Sequence, residues 1–292
     1  MIVSQPIAKE STRWYSQDGK SIEDTMGRNG SLRAVTLRDA RKPDNQWIPS
    51  VTSIIAILAK PQLERWKMEQ VAGAGYDIDQ QMEAISKEEY LERTLKLSSE
   101  RMSEAREKGS DVHGEIDRFL MEGSTKTYIG SSPHVKGAVD ALIDSGLAKY
   151  PLVVEKPFTA FVDSVWVAGK CDLHFPEHKI IWDWKTTSKP CDGSTPLGYD
   201  EHVIQLAAYS MALFGSLERG INCFVSTAPG NEGRTEIVEW LEEEMERGWE
   251  IYKHLFHLWC LQKKYVPQTL SGQSTPGSTH SETSDPETTR PS

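Results

Sequence analysis

The sequence predicts an α+β fold in which a mixed β-sheet of about five strands is flanked by helices. Three observations lead to this prediction. Charge-rich helical sequence fills much of the first half, three short β-rich runs follow from Leu152, and a helix, two further strands and a long helix complete the order. Because helices and strands occur in separate runs, we expect helices to pack on the faces of one sheet.

The helical half contains clear start signals. Ser50 or Thr52 can cap a first helix, and Pro61 can open a second one. Charge-rich helical sequence then continues from roughly Lys87 to Met121. These signals predict three successive helices before the first long strand.

The second half contains the predicted sheet. Tight turns separate three β-rich runs, "LVVEKPFTAFV", "SVWVAGKCDLHF" and "KIIWDWKTT". Short runs with this spacing predict an antiparallel meander. They are followed by the helix "EHVIQLAAYSMALFG", the strands "NCFVSTA" and "RTEIVEW", and a helix from about Glu242 to Lys264.

The chain divides into three segments by composition. Residues 1–47 are polar, turn-rich and partly basic, which predicts an N-terminal extension with a hairpin, and residues 48–267 hold the folded domain. Residues 268–292 form a tail whose last part, "SGQSTPGSTHSETSDPETTRPS", contains no apolar side chain. Such a segment cannot bury enough surface to offset its ordering entropy, so we expect the tail to be disordered.

Composition argues against several classes of protein. No apolar run is long enough for a membrane helix and the N-terminus lacks a signal-peptide core, so we expect an intracellular protein without membrane association. The four cysteines are scattered without a CxxC pair, which indicates neither a zinc site nor a disulfide framework. A net charge of −10 argues against nonspecific coating of nucleic acid but is compatible with a local basic cleft.

The third β-rich run ends in a charged pair. Asp183 and Lys185 are two residues apart on a strand, so both side chains point to one face. A turn at Glu177 and His178 would place Asp172, on the preceding strand, opposite Asp183, with Cβ atoms about 4.5–5.5 Å apart. Two carboxylates this close repel each other unless a cation lies between them.

Two cations could fill this role. Lys185 could simply pair with Asp183, as in a surface ion pair. Alternatively, carboxylate oxygens with water suit Mg²⁺ or Mn²⁺, and a neighbouring lysine would then act on a metal-bound water or on a phosphate. The apolar lead-in "IIW" favours the second interpretation, because a surface pair does not need a buried strand.

These residues carry a family resemblance. "GKCDLHF" followed by "IIWDWKTT" resembles the GxxD…(D/E)xK signature of the PD-(D/E)xK nuclease superfamily. "QLAAY" is similar to the Q-x-x-x-Y motif of its RecB-like exonuclease branch, and "PSVTSIIAILAKPQLERW" is similar to the entry of phage-encoded members. The resemblance covers about Ile48 to Val266 and implies a restriction-endonuclease-like core.

The resemblance implies a metal site and a catalytic lysine. Asp172, Asp183 and the backbone carbonyl of Trp184 would bind Mg²⁺ or Mn²⁺, and Lys185 would orient the attacking water and stabilise the transition state. Iron–sulfur members use one upstream cysteine and a C-terminal group of three. The cysteines here do not follow that pattern, so we expect no Fe–S cluster.

Four further residues are candidates. Gln205 would hold Lys185 or a DNA phosphate, while Tyr209 would either join this motif or belong to the core. His113, in "EKGSDVHGEIDRFL", corresponds to the histidine that the branch places near its metal, with packing as the alternative. Glu155 would bind a second ion or pair with Lys170.

The leading functional prediction is a metal-dependent DNA exonuclease of viral or phage DNA replication, recombination or repair. Its partners would be single- or double-stranded DNA ends and a replication or recombination protein, with oligomeric state and polarity left open. The alternatives are an endonuclease on the same core and a catalytically silent DNA-binding adaptor. The stretch Arg28 to Lys42, with five basic residues and one acid, is either a solvated loop or a partner-docking arm.

Overall fold

The computed structural model describes residues 13–42, 44–45, 47–81, 85–122 and 132–267. Within these ranges the chain forms ten β-strands and seven α-helices. In chain order they are β1 (Trp14–Tyr15), β2 (Ser21–Ile22), β3 (Asp24–Met26), β4 (Leu32–Ala34), α1 (Leu37–Ala40), β5 (Ile48–Pro49), α2 (Val51–Ile55), α3 (Pro61–Asp79), α4 (Lys87–Met121), α5 (Pro133–Asp144), β6 (Val153–Val162), β7 (Val165–Phe175), β8 (Ile180–Thr187), α6 (Asp200–Phe214), β9 (Arg219–Ser226), β10 (Thr235–Trp240) and α7 (Glu242–Gln262).

The central sheet has the strand order β10-β9-β8-β7-β6. Strands β6, β7 and β8 form the predicted antiparallel meander, and β9 and β10 are also antiparallel. Strand β9 lies parallel to β8, because α6 provides the crossover connection that a parallel pair needs. The prediction of a mixed sheet of five strands with flanking helices is therefore confirmed.

The hairpin between β7 and β8 has the predicted turn and register. A 3₁₀ turn at Pro176–His178 ends at Lys179, whose φ of 51° is left-handed. Pairing runs from Phe175 with Ile180 to Leu173 with Trp182. The next residues on the two strands are Asp172 and Asp183, so the hairpin brings the two carboxylates together where its pairing ends.

Each face of the sheet is covered by helices. One face carries a core shared with α2, α6 and α7, which includes Ile54, Leu206 and Tyr252. The other face carries a core shared with α4 and α5, which includes Ile116 and Leu142. The helices α2, α3, α4, α6 and α7 were predicted, whereas α1 and α5 were not.

The N-terminal residues contribute to the core through a small second sheet. Strand β1 lies between β2 and β5, and Trp14 pairs with Pro49. The Trp14 ring is 1% exposed and packs edge-on against Trp259, with ring centroids 6.1 Å apart. The predicted boundary between residues 47 and 48 therefore separates β1 from β5, although the two strands pair with each other. The tail at 268–292 lies outside the described residues.

An acidic residue within the basic stretch Arg28 to Lys42 neutralises part of its positive charge. Arg33 and Lys42 pair with the buried Asp39 at 2.7 and 3.0 Å. The Arg33 guanidinium holds the pKa of Asp39 well below its usual range. None of the helices described here has both the length and the apolar character to cross a membrane.

Candidate functional site

A groove of about 620 Å³ lies between α4 and the central sheet. The candidate side chains that line it are His113, Glu155, Asp172, Asp183, Lys185, Gln205 and Tyr209. The structure therefore brings to one surface residues that come from five separate elements: α4, β6, β7, β8 and α6.

Asp172 lies at an interruption of the sheet. On one side, β6 pairs Val154 with Leu173 and Lys156 with Cys171, and the pair between them is missing. On the other side, Asp172 Oδ2 accepts a hydrogen bond from the Trp184 backbone N–H at 2.9 Å. Such irregularities in a strand often re-aim a side chain next to an active site.

The two aspartates share a poorly solvated position. The Asp172 side chain is 15% exposed and the Asp183 side chain 3%. Burial, followed by the charge of Asp183, raises the pKa of Asp172 well above its usual value. The pair of carboxylates is therefore a place where a cation is favoured.

Lys185 supplies one such cation. Its Nζ lies 2.6 Å from Asp183 Oδ2 and donates to Gln205 Oε1 at 3.2 Å. Burial lowers the pKa of Lys185, but the charges of Asp183 and Asp172 outweigh that effect and the net pKa is raised. Lys185 is therefore a charged ammonium at neutral pH.

Gln205 connects the lysine to the aspartate. Its Nε2 donates to Asp183 Oδ1 at 3.1 Å and to Tyr209 Oη at 3.3 Å, while its Oε1 accepts from Lys185. The spacing of Gln205 and Tyr209, one helical turn apart, puts both on the sheet-facing side of α6. The Gln205 amide thus fixes the position of the Lys185 ammonium relative to the Asp183 carboxylate.

Tyr209 is a packed residue with a polar tip. It is 3% exposed, and its ring meets Phe158 edge-on with centroids 5.1 Å apart. Burial raises the pKa of its hydroxyl well above the usual value. A Cβ atom added to Gly169 would lie 2.8 Å from Tyr209 Cε1, so the ring occupies the space that a side chain at Gly169 would need. The glycine of GxxD and the tyrosine of Q-x-x-x-Y therefore fit each other.

His113 approaches the aspartates from α4. Its Nδ1 lies 3.7 Å from Asp172 Oδ2, which is too long for a hydrogen bond. Burial lowers the pKa of His113, so its ring is neutral at neutral pH and keeps a nitrogen lone pair for a metal. Gly109, one turn earlier, allows this approach, because a Cβ there would lie 2.8 Å from Thr186 Oγ1.

Glu155 lines the groove from β6. Its carboxylate pairs with Lys170, one of the two alternatives expected for it. Its φ of 52° is left-handed, which is strained for a glutamate. It is the residue at which pairing between β6 and β7 is interrupted.

The sequence analysis missed two residues of this site. Asp117, on α4, is 8% exposed, and burial, followed by the charge of Glu155, raises its pKa to about 7. It lies four residues after His113, a spacing that could have indicated it. Asn222 Nδ2 donates to Asp183 Oδ2 at 2.9 Å. Its place depends on the parallel register of β8 and β9, which no local pattern specifies.

The donor set fits a hard divalent cation. Nowhere in the described ranges do three or more His, Cys, Asp or Glu side chains form a ready-made metal cluster. Asp172 and Asp183 supply carboxylate oxygens, and their repulsion favours a cation. The Trp184 peptide is anchored between them by its N–H, and its ring packs against Trp182 at 5.1 Å between centroids. The role of the Trp184 carbonyl stays a prediction.

No protein-family model matches this chain, and no curated protein does. Among solved structures, the chain is similar to a phage-related exonuclease from Haemophilus somnus 129PT, with 15% identity, a TM-score of 0.26, and coverage of 52% of this chain and 82% of that one. It is also similar to the protein SSO0001, with 18% identity, a TM-score of 0.25, and coverage of 49% of this chain and 74% of that one. These likenesses are distant and carry no conclusion about function.

Proposed function

We propose that this chain is a Mg²⁺- or Mn²⁺-dependent deoxyribonuclease with a restriction-endonuclease-like core, acting as an exonuclease of the RecB-like branch. One observation carries the proposal. Asp172, Asp183, Lys185 and Gln205 come from three elements and meet in one groove, and the last three are hydrogen-bonded to one another. Their order and spacing are those of the superfamily signature.

The burial of the charged pair favours this function over a surface ion pair. Asp183 is 3% exposed and accepts from Lys185, Gln205 and Asn222. A solvent-exposed ion pair contributes little to stability and does not need such a hydrogen-bond network. Buried charges held by several donors are instead typical of functional sites.

Some residues of the groove would bind the metal, and others would position the charged groups around it. Asp172 and Asp183 would be the carboxylate ligands, with the Trp184 carbonyl and the neutral His113 ring as further candidates. When bound, Mg²⁺ or Mn²⁺ would polarise the phosphate and lower the pKa of a bound water. Gln205 holds Lys185 against Asp183, so the ammonium is already positioned before substrate arrives.

Lys185 would provide the protein's own charge stabilisation. Phosphoryl transfer depends mainly on positioning and on cations near the developing negative charge. The raised pKa of Lys185 keeps this charge in place over the physiological pH range. Its side chain is 26% exposed, so a phosphate in the groove could reach it.

The groove also offers positive charge for a DNA backbone. Arg13 and Arg106 are exposed and line it, from the N-terminal segment and from α4 respectively. Local cations of this kind can bind phosphates despite a net charge of −10. DNA ends in viral or phage replication, recombination or repair are the proposed substrates, and a protein of those processes is the proposed partner.

The test uses purified protein with Mg²⁺ on end-labelled linear DNA and on closed circular DNA, each single- and double-stranded. We expect linear DNA to be degraded and circles to survive, and Asp183→Ala to degrade neither. Cleavage of circles would assign an endonuclease on the same core. DNA binding by the wild type without cleavage of any substrate would refute the enzyme and favour the silent adaptor.

A further inference from the structure

Asn222 occupies the centre of the sheet next to a proposed metal ligand. It is fully buried on β9, and the parallel register places it directly opposite Asp183 on β8. Its Nδ2 lies 2.9 Å from Asp183 Oδ2. A buried amide must have partners at both ends, because an unpaired buried polar group is strongly unfavourable.

Trp240 supplies the partner at the other end. Its indole Nε1 donates to Asn222 Oδ1 at 2.8 Å. An indole N–H can only donate, so the oxygen of Asn222 must face Trp240 and its NH₂ group must face Asp183. The hydrogen-bond network therefore determines which end of the Asn222 amide is the oxygen and which is the nitrogen.

The Trp240 ring is itself held in place. It is 9% exposed, and a Cβ atom on Gly198 would lie 3.0 Å from its ring atoms. Gly198 belongs to the loop that leads into α6, the helix that carries Gln205. The ring thus fills space that a side chain at Gly198 would need.

We propose that Asn222, oriented by Trp240, is the positioning residue for the Asp183 carboxylate. The inference rests on the proposed function, because it assigns Asp183 to the cation. Lys185 and Asn222 share Oδ2, while Gln205 holds Oδ1. The Lys185 side chain is 26% exposed and faces the groove, whereas Asn222 is fully buried and held at both ends of its amide, so we assign to Asn222 the role of keeping the carboxylate from rotating.

The test compares two tryptophan variants. Trp240→Phe replaces the indole by a smaller aromatic ring and removes the N–H that orients Asn222. Trp249→Phe is the matched control, because Trp249 is also buried and its Nε1 also donates one hydrogen bond, to Asp163 Oδ2 at 2.9 Å. Both variants should lower the melting temperature by similar amounts.

The two variants should differ at the site. Removing a group that orients a metal ligand typically weakens metal affinity or activity about 10–100-fold. We expect Trp240→Phe to weaken Mn²⁺ binding, measured by calorimetry without DNA, by about tenfold, and to lower kcat while leaving KM for DNA unchanged. Trp249→Phe should leave all three quantities at the wild-type values.

A second variant tests whether Trp240 acts on Asp183 through Asn222. Asn222→Leu should weaken Mn²⁺ binding by about tenfold or more, and adding Trp240→Phe to it should cause no further loss, because Trp240 acts through Asn222. If Asn222→Leu does not fold, the comparison of the two tryptophan variants decides alone.

The outcomes separate this inference from the proposed function. Equal Mn²⁺ affinity and kcat for Trp240→Phe and Trp249→Phe, with an active wild type, would overturn the positioning role and leave the nuclease proposal standing. A wild type that neither binds Mn²⁺ nor cleaves DNA would overturn the nuclease proposal, and the positioning role with it.

Discussion

Replacing Lys185 by alanine is the most direct test of the site. The substitution removes an ammonium that lies 2.6 Å from Asp183 Oδ2 and 3.2 Å from Gln205 Oε1. Loss of one preorganised charge aimed at a transition state typically lowers the rate about 10²–10³-fold, which corresponds to about 2.7–4 kcal/mol. We expect a loss of this size in single-turnover cleavage.

Metal binding should not be lost in the Lys185→Ala variant. Lys185 now occupies Asp183 Oδ2, so it competes with any cation that approaches the same oxygen. Removing it should therefore leave Mn²⁺ affinity at the wild-type value or tighten it. Asp183→Ala should behave differently, because it should lose Mn²⁺ binding and cleavage together.

The matched control lies on the turn that precedes the same strand. Lys179 pairs with Glu218 at 2.8 Å in an exposed position just before β8. Lys179→Ala removes a lysine and an ion pair but should leave cleavage unchanged. Arginine at position 185 should restore little activity, since a planar guanidinium cannot replace a compact ammonium in a confined site. Near wild-type cleavage by Lys185→Ala would reduce the pair to a salt bridge and would refute the nuclease proposal.

Two further predictions concern stability. Gly169→Ala should destabilise the fold by about 1–3 kcal/mol in urea unfolding, because its Cβ would press on the Tyr209 ring; an unchanged midpoint would contradict this packing. His202 has its pKa lowered from 6.5 to about 4 by burial and by Lys185. The unfolded chain therefore binds the proton more readily, so stability present above pH 6.5 should be lost as pH falls toward about 4. His202→Asn should flatten this part of the stability profile, and equal slopes for both proteins would refute the assignment.

The elements that local signals specify were predictable from sequence. Helix α4 begins and ends at the predicted residues, with Ser86 as its N-cap, and Ser50 caps α2 as expected. The turn at Pro176–His178 fixed the register of β7 and β8, and that register brought Asp172 beside Asp183. Local chemistry was sufficient in each case because the partners are close in sequence.

Features that depend on distant packing were not predictable. Trp14 lies in a polar N-terminal segment, and contacts with the distant residues Trp259 and Tyr265 make it a core residue. Asn222 lies within the largely apolar strand β9, and its link to Asp183 arises from a crossover whose register the sequence does not encode locally. Helix α5 did have local signals, a Ser132 cap followed by Pro133, although it was not among the predicted helices.

The parallel pairing of β8 with β9 also sets an order of assembly. The meander that holds Asp172 and Asp183 is built from neighbouring hairpins, whose loops close at small entropic expense. Strand β9 can join only after the chain has passed through α6, a contact of much greater sequence separation. We therefore expect the two carboxylates to meet early during folding, before Gln205 and Asn222 arrive to restrain them. We expect a cation that binds the finished site to act mainly by slowing the unfolding rate, since the restraints it depends on would form late.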